Sequence, residues 1–302
     1  MTQRSLSVGV QLPEVEWEAR WVDLKEIALA VEGLGFDSIW VGDHLLYDTP
    51  DGPAGPWEAW SVLAALAAIT ERVQLGPLVA ATSFHSPAML AKKATTVDEI
   101  SGGRLILGLG AGWNEVEYRA YGFPFDHRAS RFDEAFTIIR TLLREGEIDF
   151  EGRYYSARDC RLVPRSRPEG PPIMIGSKGP RVLGITLPHV ELWNTWHAWH
   201  GNNPEGFARL NATIDDAARA VDRDPSEISR TTALYWQFTG GGGRKQGDTE
   251  RHTAEPQSGP PEMLSETLSR YAELGADHVQ LVLDPITIES VEHAAKALDL
   301  LT

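Results

Sequence analysis

The sequence predicts an α/β fold: a (β/α)8 barrel forming a single domain over residues 1–302, with a β-hairpin inserted before the fifth strand and a long loop after the seventh. Two observations predict it. Short β-branched runs alternate with amphipathic helical runs almost without interruption, and the alternation completes eight times in a chain of 302 residues, 42% of them hydrophobic. Eight strand–helix units at this length are what a closed parallel barrel needs, and the carboxyl ends of its strands are where its chemistry is expected. A doubly wound sheet uses the same alternation, but the count of units favours the barrel.

Each element follows from local pattern. Residues 6–12 read as a strand, 17–34 as a helix closed by Gly35, and 37–42 (DSIWVG) as the second strand. An alanine-rich helix over 57–70, a strand over 73–79, a helix over 87–100 with proline in its first turn, and a strand over 104–109 continue the series. Residues 130–144 place Phe132, Ala135, Phe136, Ile139 and Leu143 on one helical face. IDFEGRYYSARDCRLVP then alternates aromatic and polar residues around Glu151-Gly152, a hairpin pattern, before the fifth strand PPIMIG. Helices over 180–187, 204–221, 261–274 and 288–300 alternate with strands over 189–193, 228–236 and 278–283. The segment 239–260 is far longer than an ordinary βα loop, glycine-rich and nearly free of apolar residues. It reads as a lid or as a disordered, protease-sensitive stretch, with Arg244 and Lys245 placed to close over an anion.

Composition narrows the function classes. A formal charge of -15 argues against nucleic acid, whose phosphates need a basic footprint. A single cysteine, Cys160, makes no internal disulfide and no zinc cluster. The start MTQRSLSVGVQLP lacks the features of a signal peptide, and no run approaches the roughly 18 apolar residues of a membrane span. A soluble, cytoplasmic protein acting on a small molecule is expected, with no membrane partner.

The most informative stretch is SGGRLILGLGAGWNEVEY, residues 101–118. A buried strand opens into Gly108, Gly110 and Gly112 and then into Trp113, Asn114 and an acidic helix start, as a strand does when its carboxyl end lines a ligand site. The G-x-G-x-G spacing and its position a third of the way along the chain do not match a dinucleotide fingerprint. Gly110 and Gly112 let the backbone approach a ligand, Trp113 is a candidate wall of a substrate pocket, and Asn114 a candidate hydrogen-bonding partner of the ligand. Glu117 and Tyr118 read equally well as residues that cap and pack the following helix.

FDSIWVGDH after the second strand, the run RVQLGPLVAATSFHSPAMLAKKATTVDEISGGRLILGLGAGWNEVEY, and PPIMIGSKGPRVLGI followed by LWNTW together resemble the luciferase-like monooxygenase family, more closely its deazaflavin-dependent branch. The resemblance covers residues 5–200 and returns in RYAELGADHVQLVL. It implies a TIM barrel binding the deazaflavin coenzyme F-420, or FMN, across the carboxyl ends of its strands. The activity implied is hydride transfer to or from a small organic substrate, or oxygenation by reduced FMN. A homodimer is common in the family. The family's polar pair after the second strand falls on Asp43 and His44, His44 as the proton donor or acceptor and Asp43 as the residue that orients. A non-proline cis peptide under the cofactor's central ring falls between Leu78 and Val79.

The phosphate end of the cofactor falls on Gly176, Ser177, Lys178, Gly179, Pro180 and Arg181, a loop that opens a helix and carries two cations; the same residues also suit a plain tight turn. Members that oxidise sugar phosphate carry a glutamate where Trp113 stands, a departure that puts both that substrate and a second acid on this strand in doubt. Trp196 and Trp199 are expected in the pocket wall and Trp40 in the core. His197 and His200 form an H-x-x-H pair, but no carboxylate at ligand spacing joins them, and no metal is expected. A deazaflavin-dependent oxidoreductase thus leads. The alternatives are an FMN-dependent monooxygenase, a non-catalytic flavin-binding barrel and a metal-dependent hydrolase on the same fold.

Overall fold

Buried, β-branched tetrads such as SIWV and IMIG need a neighbour on each edge and apolar cover on each face, and a closed parallel barrel gives them both. The structure, a computed structural model, describes residues 4–243 and 254–301. In chain order it contains β1 (Ser7–Gln11), α1 (Trp21–Gly33), β2 (Ser38–Val41), a small hairpin of β3 (Tyr47–Thr49) and β4 (Gly52–Ala54), α2 (Ala59–Ile69), β5 (Gln74–Pro77), β6 (Ala80–Ala81), α3 (Pro87–Ser101) and β7 (Leu107–Gly110). Then follow α4 (Glu115–Tyr121), α5 (Arg128–Glu145), the hairpin β8 (Glu147–Glu151) and β9 (Ser156–Arg161), β10 (Ile173–Gly176), α6 (Pro180–Thr186) and β11 (Leu192–Thr195). The chain continues with α7 (Pro204–Arg219), β12 (Ser229–Gln237), β13 (Gln257–Ser258), α8 (Pro261–Glu273), β14 (His278–Asp284) and α9 (Ile288–Leu298).

The barrel strands run parallel in the order β5-β2-β1-β14-β12-β11-β10-β7-β6. The two ends of that series, β5 and β6, are halves of one strand. The lower half pairs with β2 through Val41 and Pro77, the upper half with β7 through Ala80 and Leu109, and the bridge between Leu75 and Leu105 closes the ring below. The peptide bond between Leu78 and Val79, where the two halves meet, is cis, at the position the resemblance implies. Trp40 is fully buried with Leu78, Ile106 and Met174, as expected for a core tryptophan.

Several boundaries move. The first helix starts at Trp21 rather than near residue 17, because Asp23 caps it by accepting the Arg20 N–H at 2.7 Å, which leaves residues 12–20 as a loop over the barrel mouth. The β3–β4 hairpin falls in a stretch where the sequence shows no strand pattern. The sixth strand lies over Leu192–Thr195, later than the expected 189–193, since His189 still belongs to the turn after α6, its N–H donating to the Thr186 carbonyl. The hairpin before the fifth strand forms as predicted. Of the long segment 239–260, residues 244–253, including Arg244 and Lys245, lie outside the described residues. Its described root is tied down: the Gly242 and Gly243 N–H groups donate to the Asp284 carboxylate at 3.2 and 2.8 Å.

At the opposite end of the barrel, Arg104 uses every guanidinium N–H. It donates to the carbonyls of Ser101, Val73, Ala67 and Thr70 and to the Thr70 hydroxyl, joining the ends of α2 and α3 to the start of β5.

Candidate active site

The carboxyl ends of β2, β5/β6, β7 and β10, with the loop after β1, surround a cavity of about 270 Å³. Glycine makes its floor possible. A Cβ on Gly110 would lie 2.7 Å from Val79 Cγ2 and one on Gly176 2.9 Å from the same atom, so Val79 sits over two positions that tolerate no side chain. Gly112 has φ +73, and a Cβ there would meet the Tyr118 hydroxyl at 1.8 Å. That hydroxyl makes a 2.8 Å hydrogen bond with Ser83 Oγ and donates to the Ala111 carbonyl at 3.2 Å, pinning the turn beneath the cavity. Gly112→Ala should therefore destabilise the protein by about 1–3 kcal/mol and weaken ligand binding with it. Thermal melts and ligand titration of the variant check this, and an unchanged melt would show that the turn adapts.

His44 and Asp43 leave the end of β2 with different surroundings. Asp43 is 2% exposed; its Oδ2 accepts from the Ala81 N–H at 2.9 Å and lies 3.1 Å from His85 Nε2. It fixes the end of β2 to β6, an orienting position. His44 faces the cavity between the rings of Tyr47 and Trp113, at 4.8 and 5.6 Å. Its Nδ1 lies 2.8 Å from Glu117 Oε1, and the other oxygen of Glu117 accepts from the Leu45 N–H at 2.7 Å. Burial lowers the pKa of His44, but the hydrogen bond and charge of Glu117, helped by Glu14 and Asp43, outweigh it and hold the imidazole above its usual value.

Of two carboxylates in this wall, Glu14 was not singled out from the sequence, and Glu117 was read equally well as a residue capping its own helix. Glu117, 1% exposed, lies on the first turn of α4 and crosses to the β2 loop instead of serving its own helix; Tyr118 beside it packs as expected. Glu14, in the loop after β1, accepts from Gln11 Nε2 at 2.6 Å and from the Tyr47 hydroxyl at 3.0 Å. Position just past a barrel strand was the available signal for Glu14. For Glu117 the only signal was a glutamate on the first turn of the helix after the glycine strand.

The remaining sequence candidates divide. Leu78, Val79, Gly110, Gly112, Trp113, Gly176, Ser177, Lys178, Gly179, Trp196 and Trp199 line the cavity. Asn114, Pro180 and Arg181 are not among its lining residues. The Asn114 amide donates to the Leu46 carbonyl at 2.8 Å, and Arg181 donates to Ser130 Oγ at 2.9 Å on the outer surface. Lys178 is the lining cation among the described residues, its Nζ 5.4 Å from the centre of the Trp199 ring. Ser177 Oγ accepts from the Gly179 N–H at 3.2 Å and the Ser177 carbonyl from Trp193 Nε1 at 2.7 Å, which shapes the loop after β10.

His200 points away from the mouth, its Nε2 2.9 Å from Thr232 Oγ1, and burial pushes its pKa down to about 4. Among the described residues no three His, Cys, Asp or Glu side chains are grouped to hold a metal ion. No described helix is long and apolar enough to cross a membrane.

Comparison with known proteins places the chain in a family. The sequence profile described as luciferase-like monooxygenase matches residues 4–239. An F420-dependent glucose-6-phosphate dehydrogenase of Amycolatopsis mediterranei (strain U-32) is 37% identical over 239 residues, covering 77% of this chain and 69% of that protein. Pyrimidine monooxygenase RutA of Enterobacter sp. (strain 638) is 34% identical over 162 residues, 52% of this chain and 44% of that protein. Among solved structures, an F420-dependent secondary alcohol dehydrogenase in complex with an F420-acetone adduct superposes with a TM-score of 0.82 over 99% of both chains at 19% identity, a likeness of fold.

Proposed function

The chain belongs to the luciferase-like monooxygenase family, and from that premise we propose that it is a deazaflavin (coenzyme F-420)-dependent oxidoreductase moving a hydride to or from a small organic substrate. The observation that carries the reading is the pairing of His44 with Glu117 beside a glycine-floored cavity at the carboxyl ends of the strands. A planar ring fits that floor: Gly110 and Gly176 leave room for Val79, and Leu78 and Val79 give the ring an apolar support. Gly112 would back it. Gly176, Ser177, Lys178 and Gly179 would meet its phosphate end; Asn114, Pro180 and Arg181 lie outside the residues lining the cavity.

The bound deazaflavin supplies a ring carbon that gives or takes a hydride. His44 handles the matching proton, which its raised pKa keeps available near neutral pH. Asp43 holds the strand end that carries His44. Trp113, Trp196 and Trp199 close the substrate side and keep water from it. The 302 residues act as one barrel domain in the cytoplasm, and the homodimer common in the family is part of the same proposal, read by light scattering on the purified protein.

The second reading, an FMN-dependent monooxygenase, is favoured by the likeness to pyrimidine monooxygenase. Titrating the apoprotein with each cofactor separates the two. Micromolar or tighter binding of the deazaflavin with weak FMN binding is expected, and tight FMN binding with no deazaflavin binding would overturn the assignment.

A further inference from the structure

Building on the reading of His44 as the proton carrier, we propose that Glu117 is a positioning residue that sets which nitrogen of His44 faces the cavity, holding Nδ1–H and leaving Nε2 to the substrate. Both oxygens of this buried carboxylate are committed. Oε1 lies 2.8 Å from His44 Nδ1, and Oε2 accepts from the Leu45 N–H at 2.7 Å and the Leu46 N–H at 3.3 Å. The backbone of the β2 loop therefore fixes the carboxylate before the imidazole meets it. An ionised carboxylate only accepts, so the ring nitrogen against it carries the hydrogen. The imidazole is 17% exposed, and no described residue hydrogen-bonds its Nε2.

The other charged groups around the ring do not compete for Nδ1. Asp43, at the end of β2, is engaged by Ala81 and His85. Glu14, after β1, is engaged by Gln11 and Tyr47, and the Tyr47 ring packs on the imidazole. Lys178 lies across the cavity over Trp199. Among the described charged groups, Glu117 is the one that hydrogen-bonds the ring and is itself held by the β2 loop backbone.

The consequence is chemical. A neutral imidazole left to itself prefers hydrogen on Nε2, which would turn an N–H toward a substrate hydroxyl instead of a lone pair. With Glu117 in place, the protonated ring offers Nε2–H to a substrate oxygen that is gaining a proton, and the neutral ring offers a lone pair to one that is losing it. The proton moves between Nε2 and the substrate, while Nδ1–H stays on Glu117 in both directions.

Nitrogen NMR on the labelled apoprotein tests this without any cofactor. The His44 signal is assigned by its loss in His44→Ala. In the wild-type protein the neutral form is expected as the Nδ1–H tautomer. In Glu117→Gln the titration midpoint of His44 should fall by about one pH unit or more and the tautomer shift toward Nε2–H. The same variant should lower kcat by about tenfold or more, with KM within about twofold. A neutral wild-type His44 protonated on Nε2 would overturn the proposal, and so would an unmoved midpoint in a folded Glu117→Gln. Should that variant fail to fold, the wild-type tautomer decides alone. Normal turnover in His44→Ala, by contrast, would count against the proton role of His44 and leave the tautomer measurement standing.

Discussion

Replacing His44 with alanine is expected to lower turnover by about 10²-fold or more while deazaflavin affinity changes by about twofold at most. The asymmetry follows from position. The surfaces that would hold the cofactor come from β5/β6, β7 and β10, whereas His44 comes from β2 and meets the cavity from the side of Tyr47 and Trp113. Its removal takes away a proton path and leaves the floor intact. Steady-state kinetics beside a cofactor titration check both halves, and a thermal melt controls for the lost packing between Tyr47 and Trp113. Near-wild-type turnover would remove His44 from the mechanism.

The second large effect concerns acid. His278 and His200 are 4% and 5% exposed, and burial pushes the pKa of each down to about 4. Both rings are neutral inside the fold: His278 Nε2 lies 2.7 Å from Ser38 Oγ, and His200 Nε2 lies against Thr232. Above pH ~6.5 the folded and unfolded states both hold neutral histidine and neither residue contributes to the pH dependence. As pH falls, the unfolded chain takes up the proton first, so stability is lost from about pH 6.5 down to the folded value near 4. By pH 5 the loss is about 2 kcal/mol per histidine, before most carboxylates titrate. His44 contributes with the opposite sign. Its raised pKa gives stability that is complete below pH ~6.5 and fades as pH rises through the folded value. Denaturation midpoints at pH 7, 6 and 5 should fall steeply, and more gently in His278→Gln. Equal slopes in the two proteins would mean that His278 is charged or exposed at pH 5.

What the sequence reveals and what it hides divide along physical lines. Burial imposes period 2 on strands and 3.6 on helices, so the eight units, the hairpin before β10 and the fully buried Trp40 are legible from pattern alone. The proposed site was read in another way. His44, Asp43 and the Leu78–Val79 bond came from family resemblance, since nothing in the periodicity distinguishes them. Glu117 stayed hidden because its partner is 73 residues away in the chain, and a glutamate on a first helical turn already has a sufficient local reason to be there. Asn114 and Arg181 show a different division between pattern and placement. A polar residue after a barrel strand suggests a ligand, yet these two found the Leu46 carbonyl and Ser130 first. Helix starts were displaced where a capping pair such as Arg20 and Asp23 overrides the apolar pattern.

The Arg104 guanidinium lies at the end of the barrel away from the cavity, and every donor it has is spent on three elements of the scaffold. That separation gives the molecule two nearly independent margins for change. Substitutions around Trp113, Trp196 and Trp199, which line the cavity, would act at one end, while the rivet beneath sets how much destabilisation such experiments tolerate before the chain unfolds. A lineage or a laboratory seeking new substrates on this barrel would therefore do well to leave Arg104 alone and diversify the rim.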